Sequence, residues 1–226
     1  MIEFKYLPLD YVDEAADVHI EGQPGTVLTR LGRSFLQELY RAMCVSKWAD
    51  AIGAFDNDRL IGLGAVAVSS EQFFAEFKRK HLWRVAVPSA LSVLKDPAIL
   101  KNVVDGWRYT DYAQNPEREG DVIFLGISRD YMRHGLGPEM VRYLFGWCHM
   151  VGLNTATFMV DKRNRPMRWM VSQLNGLQIA REFEAYGRKM VLYRVPIAPN
   201  QADAKLPLGN PVVPAARYSK NGRGSP

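Results

Sequence analysis

The sequence has only two cysteines among 226 residues, Cys44 and Cys148, far apart and each set in a helical pattern. Neither a thiolate metal cage nor a disulfide framework can be built from them, so both read as reduced core residues and no metal is expected. Long apolar runs are missing too: no stretch approaches the roughly 18–20 residues that a membrane-spanning helix needs. Met1-Ile2-Glu3-Phe4-Lys5 opens like a strand rather than a charged-then-apolar leader, and the expected location is the cytoplasm. No internal repeat is visible. The excess of one charge sign is small, +5 from 29 basic and 24 acidic residues. Residues 197–226 carry Lys205, Arg217, Lys220 and Arg223 against Asp203 alone, which leaves a body too nearly neutral to be read as a nucleic-acid surface.

What the chain does have is core-forming material: 47% of its residues are hydrophobic and 11% aromatic. That suffices for one domain, placed at residues 1–196. Residues 197–226 hold five prolines and three glycines with almost no periodic apolar pattern, and are expected to form a flexible basic tail.

Ile2–Leu7 alternates as a strand and stops at Pro8, after which Asp10 is placed to cap a helix to about Ile20. Leu28, Leu31, Phe35, Leu36, Leu39 and Met43 mark a second amphipathic helix. Ala49–Phe55 and Leu60–Val68 flank the polar turn Asp56-Asn57-Asp58 and predict an antiparallel hairpin. The stretch 71–109 predicts two or three short helices interrupted by Pro88 and Pro97. Asp121–Ile127 predicts the fourth strand, Thr155–Val160 the fifth, Arg165–Leu174 a short helix, and 177–195 a final hairpin turning at Tyr186-Gly187. The fold class is therefore α/β (α+β): a mixed, mostly antiparallel central sheet flanked by helices, with a helical insertion between strands three and four.

The chemically informative segment runs from Asp121 to Gly137. A strand that ends in a glycine turn at the start of a helix makes an anion site, because the first N–H groups of the helix are unpaired and its dipole adds about half a positive charge. Gly135 and Gly137 remove side chains that would block a phosphate, and Arg133 and His134 place basic groups at the same rim; the glycine spacing alone equally fits a simple tight strand-to-helix turn. The segment has no G-x-x-x-x-G-K-[ST] arrangement, and the turn does not follow the first strand as a dinucleotide-binding fold requires.

In element order and motif together, the sequence resembles the GNAT family of N-acetyltransferases over residues 1–70 and 120–195. Ile127-Ser128-Arg129-Asp130-Tyr131-Met132-Arg133-His134-Gly135-Leu136-Gly137 is similar to that family's acetyl-CoA pyrophosphate loop, and Asp161-Lys162-Arg163-Asn164 to its next motif. The resemblance implies acetyl-CoA as acyl donor, a fourth strand splayed from the fifth, backbone contacts to the pantetheine arm near Leu125 and Ile127, phosphate contacts from Met132 to Gly137, and a side-chain contact from Asn164. It implies transfer to a primary amine of a small molecule, an amino sugar being one candidate. Met132 stands where the family usually has arginine or glutamine. The tyrosine that commonly protonates the leaving thiolate is replaced by Val171 or Ser172, depending on the count. A non-catalytic acyl-CoA-binding module on the same fold is the alternative these departures motivate.

Three residues are candidates for catalysis. Asp121 falls where many family members carry a glutamate base, and also reads as a solvated residue at a strand start. His19 and Glu21 end the first helix beside Gly22-Gln23-Pro24-Gly25, which in the resembling fold borders the acceptor pocket; His19 equally reads as a partly buried helix-end residue. In the insertion, Lys78, Arg79, Lys80, His81 and Arg84 cluster beside Phe73, Phe74, Phe77, Leu82 and Trp83. That cluster fits a wall of the acceptor pocket, weak contact with an anionic membrane surface, or a solvated face over ordinary core. Pairing of two chains through their final hairpins is a further expectation.

Overall fold

The protein, as a computed structural model, is described over residues 1–95, 119–185, 187–197 and 205–209. The expected turn residue Tyr186, Pro97 with the rest of 96–118, and the tail at 198–204 and 210–226 lie outside the described residues.

Among the described residues, seven strands form one sheet. β1 (Ile2–Tyr6), β2 (Ala49–Asp56), β3 (Arg59–Ala67), β4 (Glu119–Ile127), β5 (Thr155–Asp161), β6 (Gln178–Ala185) and β7 (Arg188–Pro196) lie in the order β1-β2-β3-β4-β5-β7-β6. Every neighbouring pair is antiparallel except β4 and β5, which are parallel. The described helices are α1 (Val12–Gly22), α2 (Val27–Arg30), α3 (Arg33–Met43), α4 (Ser70–Lys95), α5 (Leu136–Met150) and α6 (Arg165–Ser172).

The sheet separates two apolar layers. On one face, Ala15, Ala16, Leu36, Leu39, Tyr40 and Met43 of α1 and α3 pack with Phe73, Phe77 and Phe124. On the other, Met140, Leu144, Trp147 and Cys148 of α5 pack with Ile52, Ile61, Phe158 and Val191. The three- and four-residue spacing in α3 turns one stripe inward, and each fully buried leucine there contributes about 1.5–3 kcal/mol. The indole Nε1 of Trp147 donates to Asp50 at 2.8 Å, so this buried donor is satisfied.

Several boundaries differ from the sequence reading. Asp10 caps nothing: it sits inside a 3₁₀ turn, Leu9–Tyr11, and α1 begins at Val12. The helix expected across 28–43 is broken at Gly32, whose φ of 100° lies outside helical space. The insertion opens as one 26-residue helix, α4, that runs through Pro88 instead of stopping there. Its basic cluster is partly turned inward. His81 Nδ1 and Arg84 meet the buried carboxylate of Glu38 at 2.7 and 3.0 Å, and Lys80 pairs with Glu76.

The tail is not wholly loose. Leu208 pairs with Lys5 of β1, Tyr6 donates its N–H to the Leu208 carbonyl at 3.0 Å, and Lys205 Nζ meets Glu139 of α5 at 2.6 Å. Residues 205–209 thus form a strap along the edge of β1 and across α5.

Candidate functional site

The sheet opens between β4 and β5. β4 pairs with β3 along its length to Ile127, whereas its pairing with β5 covers only Glu119–Val122 against Thr155–Phe158. β5 continues to Asp161 paired with β7 alone. The divergence begins at a bulge: Val122 faces Val66 and Phe124 faces Ala65, so Ile123 has no partner on β3. A bulge bends its strand, and here it turns the remainder of β4 away from β5. Among the described residues, no strand lies against the β4 edge that faces β5 from Ile123 to Ile127, which leaves a slot that an extended chain can enter.

The slot leads to the glycine turn. After β4, Ser128 enters the 3₁₀ turn Arg129–Tyr131, and Met132 donates to the Arg129 carbonyl. Arg133 (φ 68°) and Gly135 (φ 79°) then adopt left-handed backbone, and α5 starts at Leu136 with Gly135 as its N-cap. Among the described residues, no N–H from Arg133 to Gly137 finds a partner. Pro138, third in the helix, has no N–H to leave unpaired. A run of free N–H groups around left-handed turns, at the positive end of a 15-residue helix, suits an oxyanion of a phosphate. No atom lies within 4 Å of the Cβ position at Gly135.

Across the slot, Asn164 ends the turn after β5, and its Oδ1 accepts from Met167 N–H at 3.1 Å, capping α6. The remaining side-chain NH₂ of Asn164 is exposed. Asp161 is held by Arg163, whose N–H, Nε and Nη2 reach its carboxylate at 2.8, 3.3 and 3.2 Å. Leu125 is partly buried against the α5 layer and Ile127 is buried. Met132 is exposed and makes only its backbone contact in the turn. At the α6 positions where a phenol is usual in the resembling family, Val171 is fully buried, and the Ser172 hydroxyl donates to the Trp169 carbonyl at 2.7 Å.

The three catalytic candidates are not gathered together. Asp121 lies inside β4, which starts two residues earlier than the sequence suggested, and it is not a solvated turn residue. Thr157 Oγ1 donates to its carboxylate at 2.5 Å and Ser70 N–H at 3.4 Å, while burial raises its pKa. His19 is 1% exposed, and this corrects the expectation that it touches an acceptor. Its ring stacks on Phe124 with centroids 4.1 Å apart, Nδ1 shares a 2.6 Å hydrogen bond with the Tyr40 hydroxyl, and burial holds its pKa down to about 3. Glu21 has a different partner set: its carboxylate accepts from Ser128 Oγ at 2.7 Å and from Arg129 N–H at 3.3 Å. It anchors the start of the phosphate-type turn to the end of α1. Nothing in the one-residue pattern of Glu21 announced that contact, which joins positions more than a hundred residues apart.

A cavity of about 420 Å³ between α1, the start of β3 and Ser128 is lined by Glu14, Asp17, Glu21 and Asp58, among others. Three of these four carboxylates are engaged within the protein: Asp17 by Arg33, Glu14 by Leu60 N–H, Glu21 by Ser128. Among the described residues, no three His, Cys, Asp or Glu side chains gather as metal ligands would, and no helix is long and apolar enough to cross a membrane.

The same overall fold recurs in solved structures. The fold is that of the GNAT acetyltransferases. The ribosomal-protein-S18-alanine N-acetyltransferase of Escherichia coli superposes with a TM-score of 0.57 at 11% identity, over 89% of this chain and 98% of that one. The PaiA N-acetyltransferase of Thermoplasma acidophilum, solved in complex with coenzyme A, gives 0.57 at 10% identity over 87% and 99%. An acetyltransferase of the GNAT family from Streptococcus pneumoniae gives 0.55 at 14% identity over 88% and 100%. No model of a protein family matches the sequence, and a search of curated proteins finds no match.

Proposed function

We propose that the chain is an acetyl-CoA-dependent N-acetyltransferase that passes the acetyl group directly to a primary amine of a small molecule, an amino sugar being one candidate class. The observation that carries this reading is the continuity of two features: the unpaired edge of β4 from Ile123 to Ile127, and the free N–H groups from Arg133 to Gly137 at its end. An elongated ligand with an amide-bearing arm and a pyrophosphate fits both at once. The neighbour from Thermoplasma acidophilum, which was solved with coenzyme A, supports the choice of ligand.

In this reading the phosphates sit on the Arg133–Gly137 backbone with Arg133 and His134 at the rim, and Glu21 keeps the turn in place through Ser128. The pantetheine arm lies along Leu125–Ile127, with the Asn164 side-chain NH₂ facing it from the β5 side. A β4 N–H near Leu125 polarises the thioester carbonyl. The attacking amine must lose a proton, and Asp121 is the assigned base: its raised pKa brings it nearer the range in which a carboxylate accepts one, and Thr157 orients it. Water protonates the departing thiolate, whose conjugate acid is only weakly acidic, near pKa 8.5.

A second reading, acyl-CoA binding without turnover, is favoured by the absence of a phenol at Val171 and Ser172. One pair of measurements separates the two. Thermal unfolding with CoA, acetyl-CoA, longer acyl-CoAs, ATP and NAD should show a midpoint rise selective for the CoA compounds. Thiol release from acetyl-CoA over a panel of amines should then show turnover. A shift without turnover establishes the binding module, and no shift at saturating CoA removes both readings.

A further inference from the structure

The geometry points to Arg188 as a positioning residue that latches the loop after α1 across the open slot and thereby sets the affinity for the acceptor amine. This rests on the acyltransferase reading for its consequence, although the latch itself is a matter of contacts within the chain.

Two anchors carry the argument. At one end of the loop, Gly22 closes α1 directly on β4: a Cβ added there would stand 3.0 Å from the Gly126 Cα. That is the strand that has left β5. At the other end, Nη2 of Arg188, the first residue of β7, donates to the Gly25 carbonyl at 2.7 Å. The Nη1 of the same guanidinium lies 3.5 Å from the Asp161 carboxylate at the end of β5. Residues 22–25 therefore span from β4 to the β5–β7 edge, over the gap where those strands no longer pair. The Arg188 side chain is partly buried between its partners.

The loop is built to present that carbonyl. Gly25 has a φ of 72°, open to glycine at little cost, and nothing lies within 4 Å of its Cβ position. Behind it, the Gln23 carbonyl accepts from Thr26 Oγ1 at 3.2 Å and from Thr29 Oγ1 at 2.8 Å, which fixes the turn into α2. The strand-side contact, by contrast, hangs on one guanidinium. A planar fork serves two acceptors at once, the carbonyl of a loop and the carboxylate of a strand, and an ammonium on a flexible stem does this less well. The two groups Arg188 holds, the Gly25 carbonyl and the Asp161 carboxylate, lie outside the Arg133–Gly137 turn, so loss of the latch loosens the loop over the slot while the grip on the phosphates stays in place.

Hydrogen–deuterium exchange on the full-length chain tests the latch without any substrate. Arg188→Ala should speed exchange in peptides covering residues 22–30 by about tenfold while β2 and β3 stay protected, and Arg188→Lys should fall between. Gly25→Ala, which strains the left-handed backbone without a steric clash, should reproduce the loosening and serves as the second variant if Arg188→Ala does not fold. Unchanged exchange at 22–30 in these variants overturns the latch. With the amine that the thiol-release panel identifies, Arg188→Ala should raise the acceptor KM about tenfold with kcat and the CoA-induced thermal shift near wild type, and Arg188→Lys should recover part of it. A loosened loop with an unchanged acceptor KM overturns the role in acceptor affinity. Failure of the wild type to bind CoA would instead strike the acyltransferase reading, and the exchange result would still decide the latch.

Discussion

His19 shows how far burial sets chemistry at a single residue. With its ring sealed between Tyr40 and Phe124 and its pKa held down to about 3, it is neutral across the physiological range. Below pH 6.5 the unfolded chain takes up a proton that the folded ring refuses, so stability falls as pH drops toward 3, by at most about 1.4 kcal/mol per pH unit. The double variant His19→Phe/Tyr40→Phe keeps the stack, removes the partnerless Nε2 and leaves no hydroxyl stranded. It should be near wild type at pH 7 and show a flatter loss of thermal stability between pH 6.5 and 4. His19→Phe alone should cost about 1–3 kcal/mol at neutral pH by orphaning the Tyr40 hydroxyl.

Asp121 has the opposite sign. Its folded pKa is raised above the usual 3.8, so the stability it contributes is present when both states are protonated and is lost as pH rises through the folded value. Asp121→Asn removes that loss, and its melting temperature relative to wild type should therefore climb from pH 4 to pH 7. The Thr157 hydroxyl can still donate to the amide oxygen. If Asp121 is the base, kcat/KM should fall about 100-fold with the CoA-induced shift intact; a wild-type rate would move the base elsewhere.

Among the elements, α5 carries an unusual demand at Gly146. A Cβ there would stand 1.8 Å from the Lys205 carbonyl oxygen, and that contact is with backbone, which cannot swing aside. Gly146→Ala should gain up to about 1 kcal/mol of helix propensity yet expel the strap. Trypsin cleavage after Lys205 in the folded protein should accelerate, and the amide of Tyr6, bonded to the Leu208 carbonyl, should lose protection. A variant whose cleavage is unchanged would show that the strap tolerates the methyl. The same element shows what the sequence made legible. The glycine turn and helix were readable because a strand, two glycines and an apolar stripe are local signals. The strap was not: Pro and Gly composition between 197 and 226 describes local propensity, and the docking of Leu208 on β1 is a contact between the ends of the chain. The Gly32 break and the bulge at Ile123 were hidden for a related reason, since each depends on what the segment packs against. At the site, the phosphate-type turn and Asn164 were readable as a pattern, whereas the Glu21–Ser128 and Arg188–Gly25 contacts exist only once the fold brings the loops together.

At the scale of the whole molecule, the sheet is nearly two sheets. β1 to β4 form one block and β5 to β7 another, and among the described residues they are joined by one ladder, the short parallel pairing of Glu119–Val122 with Thr155–Phe158. An extended ligand lying in the slot would hydrogen-bond to the loose half of β4 and rest against the β5 side, joining the blocks where the chain does not join them itself. Bound CoA should therefore protect more than the turn that holds its phosphates. In exchange experiments on the full chain, amides from Phe124 to Ile127 should slow along with those from Arg133 to Gly137, at least tenfold at saturating ligand. Amides of β2 and of β6, remote from the slot, should change little. Protection confined to residues 133–137 would mean that the ligand is held by its phosphates alone, and the open edge of β4 would then need a different occupant.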